Sequence, residues 1–139
     1  MKLISSDFST AFPDAWEDRT MVTLVAPFTP GSFASNVVIT KHDVETGASL
    51  ENFAQEQLQF LQTSLPNYEL LDQRLTTVND YPAYQLLHRF QSEHGILQQV
   101  QAFLLSGAKI FAITGTARIE EFDGNIEAFR QVVENFRAT

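Results

Sequence analysis

The sequence predicts an α+β fold, a mainly antiparallel β-sheet of about six to seven strands with two flanking amphipathic helices. Three observations carry that prediction. Residues 96–105 and 109–116 are two long runs without an internal charge, folded back through Ser106-Gly107-Ala108, and they read as the central strands of a sheet. Other strand-like runs follow one another through short turns, which suit antiparallel pairing and are too short for parallel crossovers. Two further stretches carry apolar residues at three- and four-residue steps, the spacing of a helix with one buried face.

In chain order, residues 7–12 alternate Phe8, Thr10 and Phe12 against Ser9 and Ala11, as a short edge strand would. Pro13-Asp14-Ala15-Trp16-Glu17-Asp18 turns the chain, and Trp16 is expected to plug the end of the core rather than stack on a ligand. Strands follow at 20–26 and 34–41, separated by a 27–32 segment whose Pro27, Pro30 and Gly31 forbid regular pairing within it. Alternation divides these two strands into a plainly apolar face, Val22 and Leu24 with Val37 and Ile39, and a second face that is small, uncharged and half polar.

The first helix spans 49–65: Ser49 is an N-cap, Glu51 suits the positive end of the helix dipole, and Pro66 stops the element. Leu50, Phe53, Ala54, Leu58, Leu61 and Leu65 form its stripe, which Phe60 broadens, while glutamines fill most of the remainder. Strands at 68–78 and 81–91 turn at Asn79-Asp80, and Glu93-His94-Gly95 leads into the central hairpin. The second helix is expected to begin near Asp123 as N-cap and to align Ile126, Phe129, Val133 and Phe136.

At 139 residues the chain is read as one domain, 1–139, long enough to bury roughly two thirds of its extended surface. With no cysteine there is no disulfide framework or thiol chemistry. The first seven residues reach Asp7 without a leader's apolar core, and no window approaches a membrane span, so a cytoplasmic chain without direct membrane anchoring is expected. The formal net charge of −8 repels phosphate backbones and argues against nucleic acid as a partner.

Side chains that could carry chemistry are scattered. His42, His88 and His94 lie on different elements, and His42 with Asp43 and Glu45 diverge on a strand end, so neither a metal nor another cofactor is expected. Ser32 follows Gly31 but lacks the second glycine of a nucleophile elbow, and the acids at 120, 121 and 123 are explained by a helix N-terminus. No catalytic residue is assigned. The unusual feature is the second sheet face, where Met21, Thr23, Val38, Leu97, Gln99, Gln101 and Phe103 fall together without a charge, bordered by Leu61 and Leu65. Either an apolar partner with backbone groups to satisfy occupies such a face, or a helix or second subunit covers it.

The order and spacing of the Phe12-Pro13-Asp14-Ala15-Trp16-Glu17-Asp18 turn, the strand 36–40, the helix ending Leu65-Pro66 and the strand 97–103 resemble the DcrB-related proteins of PsbP- and Mog-like fold. Within that group they are similar to the effector-associated Eag chaperones of type VI secretion. The resemblance implies a non-catalytic homodimer that cradles a hydrophobic, transmembrane segment of a secreted effector in a concave uncharged groove. It implies that Met21, Thr23, Asn36, Val38 and Thr40 contact the client from the early strands. Gln57, Leu61 and Leu65 would do so from the first helix, and Leu97 and Gln101 from the central hairpin. The other reading is a PsbP-like accessory or assembly subunit that docks on a larger complex through loops and acidic surface.

Overall fold

The structure, a computed structural model, describes residues 2–4 as backbone and residues 7–139 in full. The leader reading of the first six residues therefore lies largely outside the described side chains. The elements run β1 (Lys2–Ile4), β2 (Ser9–Ala11), β3 (Met21–Val25), β4 (Asn36–Asp43), α1 (Leu50–Ser64), β5 (Glu69–Val78), β6 (Tyr81–Ser92), β7 (Gly95–Ser106), β8 (Lys109–Arg118) and α2 (Ile119–Glu134). Six strands form one fully antiparallel sheet in the order β3-β4-β8-β7-β6-β5, while β1 and β2 pair as a separate two-stranded ribbon. The expected α+β architecture is thus the observed one.

The meander from β5 to β8 follows from its turns. Asn79 and Asp80 both take positive φ, 51° and 67°, the twist that a two-residue hairpin between right-twisted strands requires. Residues that tolerate this conformation stand at both positions. Because pairing partners point to the same side, register sorts the sheet into two faces, each covered by one helix. Beneath α2 lie Val37, Ala83, Ala102, Leu104, Ile113 and Ala117, packed against Phe122 and Phe129. Beneath α1 lie Tyr84, Leu86, Phe103, Ile110 and Ala112, packed against Leu50 and Ala54. Gly115 is a requirement of the first contact: a Cβ there would come within 2.6 Å of the Phe129 ring.

The structure corrects three local expectations. Trp16 does not plug the core; it is 68% exposed on its loop, whose Trp16 N–H bonds Pro13 C=O without carrying the ring inward. Residues 7–12 contribute a strand to the ribbon and none to the main sheet. The second helix starts at Ile119, directly after β8, with Arg118 at the N-cap position and no side-chain cap. Phe122, 4% exposed, anchors that early turn, so burial extends the helix through Asp123 rather than letting Asp123 cap it.

Candidate functional site

The uncharged sheet face is built by register. Reading across strands, Met21 pairs with Thr40 and Thr40 with Ala112; Thr23 pairs with Val38, Val38 with Thr114 and Thr114 with Gln101; Val25 pairs with Asn36, Asn36 with Thr116 and Thr116 with Gln99. The three rows contain no Asp, Glu, Lys or Arg. Helix α1 crosses the same face but lies over β6 and β7, where Ala54 and Leu58 are buried against it. The half formed by β3, β4 and part of β8 is left without a helix: Met21 is 57% exposed, and Val38, Thr40 and Thr114 are half-buried.

Helix α1 forms the wall of this groove. Its Phe53 ring meets His42 of β4 at 5.2 Å, and Gln55 on the opposite side bonds Tyr84 Oη, so the Phe53 side of the helix faces the open half. Gln57 and Phe60, four and seven residues on, share that side. Phe60 stands 65% exposed on that side of the helix. Among the ten residues that the resemblance implied, Met21, Thr23, Asn36, Val38 and Thr40 form the floor and Gln57 stands on the wall. Leu61 is partly withdrawn into the core beneath the helix, and Leu65 is its half-buried C-cap. Leu97 shares the face but is only 6% exposed.

Gln101 is not a fully solvated amide. Its Nε2 donates to Thr114 Oγ1 at 3.1 Å, and its Oε1 is buried with no partner among the described residues. Turning the amide over would let the Thr114 hydroxyl donate and would leave Nε2 unpaired instead. One end of Gln101 lacks a partner in either orientation.

A second polar row closes the far end of the face. Tyr68 Oη meets His88 Nδ1 at 2.8 Å, His88 Nε2 meets Gln99 Oε1 at 2.7 Å, and Gln99 Nε2 donates to Thr116 Oγ1 at 3.0 Å. These bonds fit the neutral imidazole that carries its proton on Nε2 and accepts from Tyr68. Burial pushes the His88 pKa below its ordinary 6.5, with the Gln99 bond opposing, and pushes Tyr68 up to about 12. Unfolded His88 therefore takes a proton more readily than folded His88. Its contribution to stability is complete above about pH 6.5 and is lost as pH falls toward and through the lower folded value. Urea unfolding midpoints should fall from pH 7.5 to pH 5, and His88→Gln should flatten that fall while lowering the plateau. An equally steep fall in His88→Gln would assign the dependence to other groups.

The sequence reading missed Val25 and Phe60 as groove residues and missed the Tyr68–His88–Gln99–Thr116 chain. Val25 merely continues the Met21, Thr23 alternation by one step, so that signal was available. The chain joins residues of three strands, β6, β7 and β8, with Tyr68 of the loop before β5, and only pairing register reveals it. A separate hollow of about 410 Å³ lies on the opposite face between α2 and the sheet, and none of the ten residues lines it. Among the described residues no three His, Asp or Glu side chains converge as metal ligands would.

A six-stranded antiparallel sheet held between two helices places the chain in the PsbP-like class of α+β folds. Within that class it belongs to the DcrB family, whose sequence model matches residues 9–135. A Pseudomonas aeruginosa protein of unknown function superposes with a TM-score of 0.85 at 18% identity, covering 100% of this chain and 96% of that one. Cyanobacterial PsbP from Synechocystis superposes at 0.62 and 10% identity, covering 100% and 92%. LpqN of Mycobacterium tuberculosis, involved in cell envelope biogenesis, gives 0.50 and 11% over 88% and 85%. Among curated proteins, none matches the chain in sequence.

Proposed function

We propose that this DcrB-family chain is a non-catalytic binding protein of the effector-chaperone type, which shields a hydrophobic, membrane-destined segment of a secreted protein against the open half-face. The observation that carries this reading is the uncharged floor of β3, β4 and β8 beside the exposed Phe60, left open where α1 stops. A transmembrane segment in water exposes apolar side chains that drive aggregation, and an uncharged surface covers them without desolvating ions. Its occasional polar atoms need partners once water is excluded; Asn36, Thr40 and Gln57 can supply them, and the Gln101 amide can join them by turning outward from its buried position. No helix among the described residues is long and apolar enough to cross a membrane.

Gln101 supplies the test. A buried amide with one unpaired end costs folding free energy, so Gln101→Met, similar in size and apolar, is expected to leave stability unchanged or raise it by about 1 kcal/mol. The same change removes a bond the client would make and should weaken client retention by about 1–3 kcal/mol. Stability held or raised together with retention lost is the signature of a group kept for binding. The measurement pairs thermal melts with co-purification of an effector's N-terminal hydrophobic fragment. Unchanged retention in both Gln101→Met and Gln57→Ala would turn attention to the loops, where the exposed Trp16 and Phe28 favour the second reading, a subunit docking on a larger complex.

A further inference from the structure

On the face opposite the groove, α2 is fastened to the sheet at two points. Phe129 is seated on Gly115 of β8, and Asn79 Nδ2, in the turn between β5 and β6, donates to the C=O groups of Val133 and Phe136 at 3.0 and 3.1 Å, tying down the last turn of the helix. The helix packs chiefly on β7 and β8, and the hollow of about 410 Å³ lies along it, with Arg74 of β5 and Gln85 of β6 in its lining. Its walls are apolar and, on the sheet side, short: Val100, Ala102, Ile113 and Gly115 from the strands, Phe129 and Val133 from the helix. The volume falls within the range of about 300–1,000 Å³ that small-molecule sites occupy.

Charge enters this hollow only at exposed side chains, Arg74, Arg130 and Glu134. Arg130 Nη1 is already held by Glu127 at 2.6 Å. Arg74 is held differently: its Nε donates to Oε1 of Gln85, its partner in register, at 3.1 Å, and its two terminal nitrogens meet no acceptor among the described residues. Among the described Lys and Arg side chains, Arg19, Lys41, Arg89, Lys109, Arg118 and Arg130 each ion-pair with a carboxylate, and Arg137 donates to backbone C=O groups; Arg74 alone does neither. In a chain of formal net charge −8, a guanidinium clear of every described carboxylate, and oriented by an amide from behind, is a free fork beside an apolar hollow.

We propose that this hollow binds a small amphiphilic carboxylate, its alkyl body laid between α2 and the sheet and its head received by the two terminal nitrogens of Arg74. The alkyl body gains by leaving water, and a planar carboxylate matches the guanidinium fork with two parallel bonds. Glu134, one turn beyond Arg130 on α2, repels an anion on its part of the rim and so confines the head to the side of Arg74. The site shares no residue with the client groove, and neither requires the other.

The probes are decanoate, decanol and decyltrimethylammonium, each kept below its micelle-forming concentration and titrated into the full chain by calorimetry. Decanoate should bind, and decanol, which lacks the charge, should bind about tenfold more weakly or worse. The cationic probe should not bind. Arg74→Gln should weaken decanoate about tenfold to a hundredfold, leave decanol unchanged and melt close to the parent protein, because the side chain is exposed. Arg74→Lys keeps the charge without the fork and should recover only part of the loss. Glu134→Gln should tighten decanoate about twofold. In methyl NMR spectra decanoate should shift Ile113 and Val133 and leave Val38 in place. No decanoate binding at millimolar concentration, equal affinity in the parent and Arg74→Gln, or decanol bound as tightly as decanoate would each overturn the proposal. So would shifts confined to Val38 and its neighbours, which would put the alkyl chain in the groove and leave the chaperone reading standing.

Discussion

Phe103→Ala is expected to remove about 3–5 kcal/mol of folding free energy, a large share of the 5–15 kcal/mol that holds a typical domain together. Phe103 is 1% exposed on β7, one of the central strands, and meets Phe53 of α1 edge-on with ring centroids 5.4 Å apart. Its neighbours in the core beneath α1 include Ala54 and Ala112, side chains too short to fill the space it would vacate. The cavity term would therefore add to the lost transfer energy rather than relax away. Chemical denaturation near neutral pH reads the loss directly. A change below about 1 kcal/mol would mean that α1 is not pinned through this ring.

Val38→Arg should produce the largest effect on binding. Val38 sits in the middle row of the groove floor, half-buried and flanked by Thr23 and Thr114, with no carboxylate in that row to receive a cation. In the free protein the guanidinium can lift into water along its apolar stem, so melting should change by less than about 1 kcal/mol. Against an apolar client it would be desolvated or would hold the client away. The expected penalty is about 3 kcal/mol, roughly a hundredfold in retention. Val38→Thr, which adds a hydroxyl like those beside it, should cost far less. Full retention by Val38→Arg would remove the floor of β4 from the binding surface.

Much of this architecture was legible because the elements that set it are locally determined. Ser49 caps α1 by accepting from the Asn52 N–H, as its position before an apolar stripe implied, and Asn79-Asp80 make the hairpin turn expected of them. The two faces of β3 and β4 were also separable, since alternation is a property of each strand alone. What escaped is nonlocal. Trp16 is apolar enough to belong in a core, yet whether a core reaches it depends on where β3 lies in the sheet. The start of α2 was masked because Asp123 is a good cap in isolation, whereas Phe122 matters only once the sheet beneath it exists. The state of Gln101 was hidden for the same reason: its unpaired end is defined by Thr114 on the next strand.

The strand order carries a kinetic consequence. The β5–β8 meander closes through adjacent hairpins, but β4 finds its partner only across the whole of that meander, Asn36 against Thr116 and Asp43 against Lys109. A strand cannot zip onto a neighbour not yet in place, so on the ribosome the segment that emerges early must wait for the segment that emerges late. Throughout that interval the apolar residues of β3 and β4 are without their sheet. Contacts of high sequence separation thus fall on the part of the chain least able to protect itself, and nascent chains stalled before β8 would be the species most exposed to aggregation.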